Sequence, residues 1–245
     1  MKYLLLIFLS VSLWASKHRE HAVVLASAVY HDSAQQNFTV ISQHENRLFG
    51  NRLVAFYDDQ TDTIYLVVRG TDKLQNWIAN LHIATYDALL GLLAKKFLPN
   101  NWQESYEKLQ KTPEFWFMQA FIDLKKISDR VIQRHPNTKI IFAGHSYGGL
   151  MANLLAQDAY AQNPNLSFEC HTFNAPGAQE IRTHTLEMPE MPQSVLQSRF
   201  FNHVRLLDPV ANTNTHEGQV LYYKGVSHSI EQFVKDLENG LEFLY

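Results

Sequence analysis

Lys139-Ile140-Ile141-Phe142-Ala143-Gly144-His145-Ser146-Tyr147-Gly148-Gly149 is the stretch on which the reading of this chain turns. The apolar run Lys139–Ala143 reads as a short buried strand, and the Ala/Leu-rich residues that continue to about Gln162 read as a helix. Between them Gly144-His145-Ser146-Tyr147-Gly148 has the G-x-S-x-G pattern, in the strand–turn–helix setting that its chemistry requires. The turn must be sharp for the serine hydroxyl to project from the sheet edge. Residues two positions either side then crowd each other, and only very small side chains fit. Gly144, Gly148 and Gly149 meet that demand. The helix starting behind Ser146 offers N–H groups and the positive end of its dipole to a developing oxyanion. Ser146 is the candidate nucleophile, and His145 is read as structural.

Strands and helices alternate beyond this turn. Phe168–Phe173, Ser198–Leu207 and Val220–Lys224 read as strands. Phe115–Arg134 reads as an amphipathic helix, with apolar residues at 117, 118, 121, 124, 127, 131 and 132, and Ile230–Phe243 reads as the last helix. Toward the N-terminus, Arg52–Tyr57 and Thr63–Arg69 are β-rich runs joined by Asp58-Asp59-Gln60-Thr61-Asp62, which is turn chemistry. Residues 19–31 carry a helical apolar patch, and Asp72–Pro99 is mostly helical in pattern. The expectation is one α/β domain over residues 16–245. Its sheet is mostly parallel, with helices on both faces and an N-terminal antiparallel hairpin.

A nucleophilic serine needs a base and an orienting acid, which on this kind of turn follow it in the order acid, then histidine. Asp158 and Asp236 fall within helices. Asp208 closes the run Phe200–Leu207 and is stopped by Pro209, at the C-terminal sheet edge where α/β sites form. His171, His184 and His203 precede it, which leaves His216 and His228. His216 lies before the last strand. His228 follows that strand across Gly225-Val226-Ser227, on a loop able to reach Ser146, and is favoured; His216 is the alternative.

The chain has 245 residues, a formal charge of −3 and 18% charged residues, so it is neither disordered nor of low complexity. Near-neutral charge removes the electrostatic case for a nucleic acid or an anionic membrane as partner. The one cysteine, Cys170, forms no internal disulfide, and no Cys/His spacing suits zinc; neither cofactor nor metal is implied. Met1-Lys2, an apolar run to Leu13 and then Trp14-Ala15-Ser16 read as a signal peptide over residues 1–15. The run falls short of the ~20 residues of a spanning helix. Cleavage near Ala15 and a secreted or periplasmic protein are expected.

Val68-Arg69-Gly70-Thr71 followed by Asn76-Trp77-Ile78-Ala79-Asn80-Leu81, together with the serine turn, resembles the class 3 (fungal-type) lipases of the α/β-hydrolase superfamily. The resemblance extends over about residues 50–230. It implies Ser146, Asp208 and His228 as a catalytic triad, with Thr71 and the N–H of Tyr147 as the oxyanion hole. It also implies a lid after Thr71, within residues 72–95, whose apolar cluster at 88–94 would make transient contact with a lipid surface. Two features depart from the family pattern. Where members commonly read F-G-x-P-R, this chain has Phe173-Asn174-Ala175-Pro176-Gly177, and the interval from Asp208 to His228 is short. The activity implied is hydrolysis of carboxylic esters, of lipids such as triacylglycerol, through an acyl-enzyme. Phospholipase A1, thioesterase or acyltransferase chemistry on the same site are the alternatives, as is a non-catalytic lipid- or partner-binding protein on a hydrolase scaffold.

Overall fold

Alternation along the strands sorts their side chains onto two apolar faces, and each face collects its own helices. The structure, a computed structural model, describes residues 2–31, 37–46, 50–70 and 100–239, with side chains from Lys17 in the first helix and from Phe117 in the second. Its strands are β1 (Thr39–Asn46), β2 (Asn51–Asp58), β3 (Thr63–Val68), β4 (Lys139–His145), β5 (Phe168–Phe173), β6 (Phe200–Arg205) and β7 (Gln219–Tyr223). They form one sheet in sequence order. β1, β2 and β3 pair antiparallel, and β3 to β7 run parallel.

The helices are α1 (Lys2–His31), α2 (Asn100–Arg134), α3 (Tyr147–Gln162), α4 (Gln193–Arg199) and α5 (Ile230–Glu238). Because β3 to β6 step across the sheet in one direction, right-handed crossovers carry α2, α3 and α4 to the same face. There Leu53, Leu66, Val68, Ile140 and Phe142 meet Phe121, Leu124, Leu154 and Leu196. α3 is buried on nearly every side, which accounts for its Ala/Leu-rich composition. On the opposite face Tyr65, Val67, Ile141 and Ala143 lie under α1 and α5. Ala22, Leu25, Ala26 and Val29, at the i, i+3, i+4, i+7 spacing of one helix stripe, make the α1 contact.

That second face also holds buried polar groups. The Nδ1 atoms of His18 and His21 lie 2.9 and 3.2 Å from the Tyr65 hydroxyl, and His203 Nδ1 lies 2.9 Å from the Tyr223 hydroxyl. Burial, reinforced by Lys139, pushes His18 down to about 4. Burial, reinforced by His228, pushes His145 at the end of β4 down to about 4 as well. Both are neutral in the folded protein and titrate near 6.5 once unfolded, so the unfolded chain binds more protons between those values. The stability they contribute is therefore complete above pH 6.5 and is lost as pH falls toward 4, by about 1.4 kcal/mol per pH unit for each histidine. Thermal melts should show the melting temperature falling steadily from pH 6.5 to 4.5. A melting temperature that stays constant over this window would contradict the assignment.

Three sequence expectations change. Ser198–Leu207 is not one strand: Gln193–Arg199 is helical, and β6 begins at Phe200. β1 was not foreseen, because Thr39–Asn46 is a polar edge strand without apolar alternation. It is pinned from outside the sheet, His44 and Asn46 both reaching the Asp123 carboxylate of α2 at 2.7 and 3.0 Å. The last helix ends at Glu238. The helical reading of Asp72–Pro99 lies outside the described residues.

Candidate active site

The turn between β4 and α3 is as tight as its glycines predict. A Cβ on Gly144 would lie 2.4 Å from the Gly148 carbonyl, and one on Gly148 only 2.2 Å from the Val68 carbonyl oxygen. Ser146 adopts φ 57° and ψ −132°, a conformation that costs a non-glycine residue about 1–3 kcal/mol. Its N–H donates to the Phe173 carbonyl at 2.9 Å, and its own carbonyl accepts from Gly149 and Leu150 in the first turn of α3. The strain is held from both sides, and the hydroxyl stands at the C-terminal edge of the sheet.

Two loops at that edge bring the other groups. His228 Nε2 lies 2.8 Å from Ser146 Oγ, and His228 Nδ1 lies 2.7 Å from Asp208 Oδ2. A carboxylate only accepts, so Nδ1 carries the ring proton and Nε2 is left to accept from the serine hydroxyl. Asp208 is fully buried and its second oxygen accepts from the N–H groups of Val210 and Ala211 at 2.8 and 2.9 Å. Burial alone would raise its pKa. The bonds from His228 and from the Ala211 and Val210 N–H groups outweigh burial and hold the carboxyl below its ordinary value. Behind it, Arg182 pairs with Glu217 at 3.0 Å and Gln157 of α3 donates to Glu217 at 3.0 Å, which fixes the connection from β6 to β7.

The alternative base is committed elsewhere. His216 Nε2–H donates to the Ala211 carbonyl at 2.8 Å, and burial lowers its pKa. Asp158 pairs with Lys125, and Asp236 with Arg205. Tyr147 opens α3, and the N–H of a first helical residue has no intrahelical partner. Thr71 and the segment 72–95 lie outside the described residues. The strand end that leads to Thr71 does reach the site: a Cβ on Gly70 would lie 3.4 Å from the Cβ of Ser146. Among the described residues no group of three His, Cys, Asp or Glu side chains could hold a metal, and no helix is long and apolar enough to cross a membrane.

The loop that carries His228 has no regular structure, yet four of its carbonyls are tied down. Arg205 Nη1 donates to Lys224 at 2.6 Å, the Leu207 N–H to Gly225 at 3.3 Å, Asn174 Nδ2 to Ser227 at 2.9 Å and His145 Nε2 to His228 itself at 2.5 Å. Since that carbonyl can only accept, His145 is protonated on Nε2, and its Nδ1 accepts from the Tyr30 hydroxyl at 3.0 Å. Residue-by-residue reading missed Tyr30 and Asn174. The departure at Asn174 was visible in the sequence, but its partners were not.

The family pattern described as lipase (class 3) matches residues 65–218, well over half of the chain. The chain belongs to the class 3 lipase family. Its relatives are named lipases. It is similar to the lipase of Rhizomucor miehei, 27% identical over 139 residues that make up 56% of this chain and 34% of that one. It is similar to the lipase of Rhizopus niveus too, 30% identical over 111 residues, 44% of this chain and 24% of that one. The matched part thus spans about a third or less of the length of these curated relatives. Among solved structures, the triacylglycerol lipase of Penicillium expansum superposes with a TM-score of 0.54 at 19% identity, covering 85% of this chain and 79% of that one. The lipase of Rhizopus microsporus var. chinensis gives 0.51 at 18%, covering 86% and 75%. With the parallel sheet and its two helical layers, these likenesses make the fold of this chain that of the α/β-hydrolases.

Proposed function

We propose that this chain is a serine hydrolase of carboxylic esters, acting on lipids such as triacylglycerol. The observation that carries the reading is the His228 ring, bonded to Ser146 through one nitrogen and to Asp208 through the other at 2.8 and 2.7 Å. His228 Nε2 takes the serine proton as Oγ attacks the ester carbonyl carbon, and Asp208 stabilises the imidazolium that forms. The oxyanion is met by the Tyr147 N–H and, by resemblance, by Thr71. Collapse of the tetrahedral intermediate expels the alcohol, protonated by His228. A water then gives its proton to His228 and its oxygen to the acyl carbon, releasing the acid and restoring Ser146.

The surface beside the site supports a lipid as substrate. Leu206, Leu207 and Val226 are 45%, 68% and 64% exposed, and in the chain they adjoin Asp208 and His228. With a formal charge of −3, contact with lipid would be hydrophobic rather than electrostatic. A lid within residues 72–95 would extend that surface. Export after removal of residues 1–15 is supported by the leader pattern, a lysine followed by an apolar run to Leu13 and a small residue at Ala15.

Release of fatty acid by the full chain from triolein emulsion, phosphatidylcholine vesicles and soluble p-nitrophenyl butyrate tests this. Triolein turnover should increase with interfacial area and exceed that on the vesicles. Leu207→Asp with Val226→Asp should lower triolein turnover about tenfold while leaving the soluble ester within twofold. A faster rate on the vesicles would assign phospholipase A1 in place of lipase. No hydrolysis of any of the three would leave a non-catalytic protein.

A further inference from the structure

Asn174 is where the departure from the family's sequence pattern meets the site. It follows β5 directly, is fully buried, and stands where the family pattern carries glycine. Its φ is 45°, in the left-handed region where asparagine is among the few side chains tolerated. β5 and β6 run parallel, and in a parallel ladder one residue donates to the strand opposite and then accepts from it two residues further on. Asn174 keeps the first half of that exchange, its N–H donating to the His203 carbonyl at 2.8 Å. The second half goes to its side chain: the Arg205 N–H donates to Asn174 Oδ1 at 2.9 Å.

The positive φ turns the main chain away from β6, and the side-chain oxygen takes over the bond that the main-chain carbonyl would have accepted. The other end of the amide is then free to act outside the sheet. Asn174 Nδ2 donates to the Ser227 carbonyl at 2.9 Å, one residue before His228. One planar amide therefore joins the strand that leads into Asp208 to the loop that carries His228. Its two bonds act along fixed directions, so it sets the distance between those segments. Glycine at this position would keep the turn and lose both links.

We infer that Asn174 is a positioning residue for the ester hydrolysis proposed above, holding His228 in register with Asp208 and Ser146 by tying the Ser227 carbonyl to the end of β6. This rests on the serine-hydrolase reading. It touches no substrate and acts through His228 alone. A misplacement of about 1 Å in a reacting group can cost about a hundredfold in rate.

Asn174→Gly, which accepts the positive φ, is compared with the wild type on p-nitrophenyl butyrate, in the wild-type and His228→Ala backgrounds. In the wild-type background kcat should drop ten- to a hundredfold with KM within twofold. In the His228→Ala background the residual rate should change less than twofold, because the residue through which Asn174 acts is gone. A wild-type kcat reduced less than twofold, or equal losses in the two backgrounds, would overturn the inference. Should Asn174→Gly fail to fold, Asn174→Asp at pH 8 is read by the same criteria, since the carboxylate still accepts from the Arg205 N–H but cannot donate to Ser227. A wild type no more active than Ser146→Ala would refute the serine-hydrolase reading itself. An active wild type with an unaffected Asn174→Gly would refute only the role of Asn174.

Discussion

Ser146→Ala should lower kcat for ester hydrolysis by about 10⁶-fold while leaving the fold intact. The size of the loss follows from what the hydroxyl does. Without Oγ no acyl-enzyme forms, and His228 Nε2 faces a methyl group in place of the oxygen 2.8 Å away. What remains is direct attack by water, helped only by the oxyanion donors and by substrate binding, which supply about 10³–10⁴ over the uncatalysed reaction. Stability should move little. Ser146 lies at φ 57°, as strained for serine as for alanine, and the turn is held by backbone bonds to Phe173, Gly149 and Leu150 that the substitution does not touch. Active-site titration with circular dichroism on the same samples separates loss of chemistry from loss of fold. A variant that retains more than about a hundredth of the wild-type rate would remove Ser146 from the reaction.

His228→Ala and His216→Ala should differ by orders of magnitude in rate. In the proposed mechanism His228 carries the proton, so its loss should remove about 10⁵–10⁶ from kcat. Among the described residues its ring bonds to Ser146 and Asp208 and lies against the His145 ring, and without it Asp208 keeps the Val210 and Ala211 N–H groups on its other oxygen alone. Its loss leaves the buried Oδ2 of Asp208 without that partner, which should cost about 1–3 kcal/mol of stability. His216 is half-buried, and its Nε2–H satisfies the Ala211 carbonyl in the loop that shapes the Asp208 pocket. Its removal should cost about 1–3 kcal/mol of stability and leave kcat within about threefold. Steady-state kinetics and thermal melts of the two variants decide it. A large rate loss confined to His216→Ala would transfer the role of base to that residue.

The parts of this site that could be read from the sequence are those whose constraint is local. Glycines two residues either side of Ser146 announce the sharp turn, because the backbone atoms that forbid a side chain belong to the turn itself and to the adjoining strand end. Asp208 is announced by the apolar run before it and the proline after it, both within a few residues. Chain order favours His228, and His216 stays an alternative in sequence because nothing there shows that its ring is occupied by Ala211.

What sequence hides is tertiary. Tyr30 reaches His145 across more than a hundred residues, and Asn174 reaches Ser227 across more than fifty. Neither bond leaves any periodicity. β1 escaped notice for a related reason: a polar edge strand is specified by its partners β2 and Asp123, not by its own pattern. The run Ser198–Leu207 misleads at both ends: Ser198 and Arg199 close a helix, and the apolar Leu206 and Leu207 lie beyond the strand, which spans Phe200–Arg205. Thr71 and the apolar cluster at 88–94 rest on resemblance and lie outside the described residues.

The central claim is that Ser146, activated by His228, is the nucleophile of an ester hydrolase. Treating the wild-type protein with a fluorophosphonate and locating the adduct by peptide mass spectrometry tests it most directly. The account predicts one adduct, on Ser146, whose stoichiometry rises in step with the loss of ester hydrolysis and which does not form in His228→Ala on the same timescale. An adduct on another residue, or hydrolysis that persists with Ser146 fully modified, would contradict it.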